Sequence, residues 1–224
     1  MQTNGPSQRH GGQLTGVLVR YLSHPQVCID PSKDSRCWSL SETGHARVAA
    51  LRQSNVLRGT KRIVTSFENR ALQTAKPLAD ALGCWLEYRG QTYEDARTAT
   101  GYLPEPWSEK CAVAYFANPD QSIQGWEPAR LAQQRIIAEV GEVLRTHRGG
   151  DILIVGQGAL GTLLYCALAN KPISRTFDQP AGGGNVFAFR TNDCLPLSGW
   201  QPMESLSLWP CTASLSEADA WTAS

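Results

Sequence analysis

The sequence predicts an α/β fold, a three-layer αβα sandwich with a mainly parallel central sheet. Three observations carry this reading. Short β-favouring runs alternate along the chain with segments whose apolar residues recur every three or four positions. Two of the runs, 16–22 and 151–155, read as strands of a sheet covered on both faces. At 224 residues the chain is long enough for one domain with a sizeable core.

The elements follow in order. Residues 1–14 are a polar arm without an apolar signal core. Gly16-Val17-Leu18-Val19-Arg20-Tyr21-Leu22 is the first strand, and Ser23-His24-Pro25 stops it, because proline cannot donate to a ladder. A loop leads to Ser39-Leu40-Ser41-Glu42, whose serine and glutamate three apart signal a helix start. Ala46, Ala49, Ala50 and Leu57 extend that helix, and Gly59 closes it. A short strand at 62–66 precedes a helix over 71–82, which Pro77 should kink or restrict at its start. Trp85-Leu86-Glu87-Tyr88 is a weaker strand.

Residues 90–125 form a long connection, with helical possibilities around 107–117; such loops are usually functional. Its Tyr93, Tyr102 and Trp107, with Trp126, are candidates to shape a substrate cavity or simply to pack the loop. Pro128 opens a helix with Ile136, Val140, Val143 and Leu144 on its buried stripe, ended by Gly149-Gly150. Asp151-Ile152-Leu153-Ile154-Val155 is the clearest strand; Gly156-Gln157-Gly158 then turns into a helix over Thr162–Ala169. Asn185–Arg190 is the last strand. The organisation is therefore an arm (1–14), one domain (15–192) and a loosely packed tail (193–224).

Composition narrows the function. A net charge of +1 gives no electrostatic pull toward nucleic acid or an anionic membrane. No apolar run approaches the roughly 20 residues of a bilayer span. Seven cysteines, odd in number and without a CxxC pair, argue against a zinc cage or disulfide framework and fit a reduced cytoplasm. No metal and no cofactor is expected, and oligomeric state is not encoded visibly.

Three polar segments follow strands and so converge at one sheet edge: Ser23-His24-Pro25, the stretch from Ser66 to Ala75, and Gly156-Gln157-Gly158. A histidine beside an arginine and helix N-termini suits a phosphoryl group. Arginine forks onto its oxygens, helix ends add donors, and neutral imidazole attacks phosphorus. Arg70 also stands in a first helical turn, where the helix dipole disfavours a plain surface cation.

The layout over about 16–190 resembles the histidine phosphatase (phosphoglycerate mutase-like) superfamily. Its most specific part is Ser66-x-x-x-Arg70-Ala71-x-Gln73-Thr74-Ala75, similar to the family's second phosphate-arginine motif. Residues 23–31 and 38–41 resemble a subgroup with Ser/Thr-His-Pro after the first strand. The resemblance implies phosphomonoester hydrolysis or phosphoryl transfer on a small phosphorylated metabolite. In it His24 is the nucleophile, Arg70 the phosphoryl clamp and Glu94 the proton donor, with Glu87, Asp95 and Glu105 as competitors for the acid role. Two departures count. Ser23 stands where the family has a phosphate-binding arginine, and Gln157 where it has its second active-site histidine. Glutamine donates a neutral hydrogen bond but carries no charge. Losing such a donor costs about 2.7–4 kcal/mol of transition-state stabilisation. Arg97 is the candidate to restore the charge.

Alternatives are explicit. Arg9-His10-Gly11 spells the family tripeptide but lies in the arm, where no scaffold holds it. His45 and His147 fall on helix faces as surface residues. A pocket that binds a phosphorylated ligand without turnover, a pseudo-phosphatase, is the main rival. Gly156-Gln157-Gly158-Ala159-Leu160-Gly161 also matches the dinucleotide fingerprint, which requires an acidic residue ending a second strand about 20 positions on. Asp178 is the nearest candidate.

Overall fold

The computed structural model describes residues 16–94 and 99–208. The arm with Arg9-His10-Gly11, Asp95 and Arg97, and the tail beyond 208 lie outside the described residues.

Six strands form one sheet, β1 (Leu18–Ser23), β2 (Thr60–Thr65), β3 (Trp85–Tyr88), β4 (Asp151–Gly156), β5 (Asn185–Arg190) and β6 (Gln201–Pro202), in the order β3-β2-β4-β1-β5-β6. The first four in that order run parallel; β5 runs antiparallel to β1, and β6 antiparallel to β5. The helices are α1 (Glu42–Gln53), α2 (Asn69–Leu82), α3 (Trp107–Ala117), α4 (Ala129–Thr146) and α5 (Gly158–Leu168).

The strand alternation divides the core in two. Tyr21, Ile152, Ile154 and Phe187 face α4 and α5, packing on Ile136, Val140, Leu160 and Leu163. Leu22, Ile63, Leu153 and Val155 face α1 and α2, packing on Val48, Leu51, Ala75 and Leu78. Successive side chains of a strand point to opposite faces, so one apolar run feeds both layers.

Four expectations change. The first helix stops at Gln53, because Asn55 takes a left-handed φ of 58° and Leu57 turns into the core alone. Its cap is Ser41, which accepts from the Gly44 amide at 3.1 Å, while Ser39 instead accepts from Asn69 Nδ2. The second helix begins at Asn69 and continues past Pro77 to Leu82, where Gly83, with a φ of 58°, caps it. Residues 193–208 are not loose: Val186 of β5 pairs with Gln201, and Trp200, Met203 and Leu206 are buried against the sheet.

Register sets the site. Ser23 lies opposite Gly156, and Thr65 opposite Val155. The carboxyl ends of β1, β2 and β4 are thus level, and the residues that follow them meet.

Candidate active site

Three bonds fix His24. Its amide donates to the Gly156 carbonyl at 3.0 Å, and its carbonyl accepts from the Gly184 amide at 2.9 Å. Its ring Nδ1 is 2.8 Å from the Pro25 carbonyl oxygen. A carbonyl only accepts, so the proton sits on Nδ1 and Nε2 keeps its lone pair. Burial, followed by the Arg70 charge, lowers the imidazole pKa to about 4; the Pro25 bond, Glu94 and Gln157 oppose the shift. His24 is therefore neutral near pH 7.

Arg70 is the second residue of α2 and is buried. Its Nε donates to Gln157 Oε1 at 2.8 Å. One terminal nitrogen donates to the Ser35 carbonyl. The other donates to Glu68 Oε1 at 3.1 Å and Glu94 Oε2 at 2.7 Å.

Gln157 is fully buried at the start of α5. The Tyr21 hydroxyl donates to its carbonyl at 2.9 Å, anchoring it to β1. Its amide is used at both ends: the oxygen accepts from Arg70 Nε, and Nε2 donates to Glu68 Oε2 at 2.5 Å.

Glu68 is the residue that sequence reasoning missed. It occupies the corner between β2 and α2 and is 4% exposed. Besides Arg70 and Gln157 it accepts from the Ser66 hydroxyl at 3.0 Å and the Glu94 amide at 3.2 Å. Burial raises its pKa, against the pull of Arg70. It sits at the N-cap position of α2 but its side chain caps nothing there. A cap-type carboxylate two residues before an arginine was the available signal.

His24, Arg70 and Glu94 line one cavity of about 310 Å³, together with Ser35, Trp38 and Tyr102. The Glu94 side chain is 22% exposed, so this carboxylate reaches the opening where Glu68 does not. Glu87 is tied to Arg62 and Arg89 instead. Glu105 lines the cavity and accepts from Ser108 at 2.5 Å. Of the aromatics, Tyr102 and Trp126 line it, whereas Trp107 stands exposed beneath Lys110.

Ser23 reaches the same edge but faces away from the opening. Its hydroxyl donates to Gln179 Oε1 at 2.5 Å and accepts from the Asn185 amide at 3.0 Å, tying β1 to β5. Arg97 lies outside the described residues. His45 is exposed, and His147 bonds the Gly150 carbonyl at the end of α4.

The dinucleotide reading lacks its context. Asp178 follows a 3-10 turn (Arg175–Phe177) rather than a strand, and is held by Thr162 at 2.8 Å and Arg175 at 3.1 Å. The glycines serve packing: a Cβ at Gly156 would strike Tyr21, at Gly158 Gln179, and at Gly161 Tyr21 and Trp200. Among the described residues no group of three or more His, Cys, Asp or Glu is placed to hold a metal ion.

A mainly parallel sheet between helical layers, with a histidine, an arginine and a carboxylate gathered at its carboxyl edge, defines the class: a three-layer α/β protein. The family is explicit in the sequence: the model of the histidine phosphatase superfamily, branch 1, matches residues 28–195, and the chain belongs to that superfamily. The match begins four residues after His24, so it is the structure that brings His24 to Arg70.

Solved structures share the fold. Mycobacterial glucosyl-3-phosphoglycerate phosphatase is similar at 18% identity and a TM-score of 0.65, over 78% of this chain and 90% of that one. Bacillus stearothermophilus YhfR is 18% identical with a TM-score of 0.67, over 80% and 94%. The alpha-ribazole phosphatase from Shigella flexneri is 14% identical with a TM-score of 0.64, over 80% and 93%. A search of curated proteins gave no match.

Proposed function

We propose that the chain is a phosphomonoesterase working through a phosphohistidine on His24, with a small phosphorylated metabolite as substrate. The observation that carries this reading is the His24 ring. Its Nδ1 proton is committed to the Pro25 carbonyl, which leaves the lone pair on Nε2, and the residue lines the same cavity as Arg70 and Glu94. In the cycle Nε2 attacks phosphorus as the phosphorus–oxygen bond to the leaving group breaks, and Glu94 protonates the departing oxygen. The Glu94 carboxylate then takes a proton from water that attacks the phosphohistidine, which releases phosphate and restores neutral His24. Arg70 holds the phosphoryl oxygens, and Gln157 and Glu68 hold Arg70. The cycle uses protein side chains alone. The scattered cysteines favour the cytoplasm, where thiols stay reduced.

The test is an aryl phosphate mixed with the enzyme and quenched in base, where a phosphohistidine persists. Label should stay on wild type and be absent from His24→Ala. Full turnover by His24→Ala would overturn the assignment.

A second reading, a phosphate-ligand binding module that turns over slowly or not at all, has one observation in its favour. Arg70 and the Gln157 amide are already engaged by protein groups. A silent wild type that gains activity as Gln157→His would support it.

A further inference from the structure

The cavity at His24 adjoins a larger one of about 690 Å³, and the two share Ser35, Glu94, Gly101 and Tyr102. Glu94 is the group that faces the leaving oxygen in the proposed cycle. The larger cavity therefore lies on the side that the leaving alcohol occupies.

Two properties of its lining define what fits. The first is the aromatic wall. Phe67, Tyr93 and Tyr102 line it. Phe67 is 66% exposed, although its ring stacks on Tyr88 with centroids 5.6 Å apart and planes 14° from parallel. Tyr93 is backed by the Arg135 guanidinium, 3.7 Å from its centroid. Phe67 and Tyr93 are each backed on one side, Tyr102 meets Trp38 edge to face with centroids 5.9 Å apart, and the exposed ring of Phe67 keeps a face open on which a planar ligand stacks.

The second property is charge. Among the described residues of the lining, every cation already has a carboxylate. Lys33 pairs with Asp30 at 2.8 Å, Arg36 with Asp34 at 2.6 Å, and Arg89 with Glu87 at 2.5 Å and Glu139 at 2.9 Å. Glu68 and Glu94 add carboxyl groups on the His24 side. A second phosphate or carboxylate would have to compete with a resident carboxylate for each of these cations, with further acidic groups beside it.

We propose that the leaving group is an uncharged alcohol bearing a planar aromatic ring, stacked on Phe67 and Tyr102, and that a second anionic group on the substrate adds no affinity. This rests on the reading of the His24 cavity as a phosphoryl site.

Three phosphonates, which are not hydrolysed, separate the two claims by calorimetry. Methylphosphonate reports the phosphoryl site alone, naphthylmethylphosphonate adds the ring, and phosphonoacetate adds a carboxylate. The naphthyl compound should bind at least about tenfold tighter than methylphosphonate, and phosphonoacetate no tighter than methylphosphonate. Phe67→Ala and Tyr102→Ala should each remove about three- to tenfold of the naphthyl advantage, and Phe67→Trp should keep it. Phe67 is exposed, so its truncation leaves the core intact. Equal affinity for the naphthyl and methyl compounds, tightest binding of phosphonoacetate, or an unmoved ratio in both alanine variants would overturn the substrate class. Failure of all three compounds to bind would instead overturn the phosphoryl reading beneath it.

Discussion

The side-chain amide of Gln157 donates to the Glu68 carboxylate across 2.5 Å, while its oxygen accepts from Arg70 at 2.8 Å. Gln157, at the position where the family resemblance places a second histidine, is thus a bracket between an acid and a cation. A histidine there would meet Glu68, whose charge favours imidazolium. Gln157→His is expected to raise kcat on an aryl phosphate by a factor on the order of a hundred. The gain should largely vanish in the Gln157→His/Glu68→Gln double variant. An equal gain with and without Glu68 would show that the two do not act together.

His24 sets the acid side of the pH dependence. Burial and Arg70 hold its folded pKa near 4, below its ordinary value. The nucleophile stays unprotonated until about that pH, so the acid limb of kcat/KM should fall near pH 4 and not near 6.5. Between these values the unfolded chain binds more protons at this site than the folded one. Stability is therefore lost as pH falls from about 6.5 toward 4. Glu68, raised by burial, works in the opposite sense, losing stability as pH rises through its folded value. Urea unfolding at pH 7 and 5 should show a larger acid loss for wild type than for His24→Asn.

The backbone of His24 depends on Gly183. That glycine has a φ of 63°, and a Cβ added to it would strike the His24 carbonyl. Gly183→Ala should destabilise the protein by about 1–2 kcal/mol from the left-handed strain. It should also lower kcat/KM by more than that strain accounts for, up to about a hundredfold, by displacing the ring. Thermal melts beside kinetics separate the two effects.

Ser23 is expected to report on structure. Removing its hydroxyl leaves the Gln179 oxygen and the buried Asn185 amide short of a partner. Ser23→Ala should cost about 1–3 kcal/mol of stability, with phosphate affinity within about twofold of wild type. Weaker phosphate binding at unchanged stability would restore Ser23 to the phosphoryl site.

The sheet was legible because its strands are short, apolar and bounded by Gly and Pro; Asn185–Arg190 even matches to the residue. His24, Arg70 and Gln157 were legible through one rule, that ligands gather where parallel strands end. Glu68 was not, because a carboxylate beside a motif arginine reads as a solvated spacer until burial is known. The end of α1 escaped because Leu57 continues the helical spacing by coincidence, from a turn that inserts it into the core. The tail escaped because Trp200, Met203 and Leu206 are isolated in sequence and acquire neighbours only through long-range contacts.

The Arg70–Glu94 pair has a consequence for selectivity among anions. The guanidinium already has a resident negative partner, tethered at high local concentration and 2.7 Å away. A visiting anion must evict it, so a weakly held monoanion such as chloride competes poorly, whereas a doubly charged phosphoryl group competes well. Eviction also parts Glu94 from Arg70 at the moment the ligand arrives. Occupancy of the site and the breaking of that contact are then a single exchange.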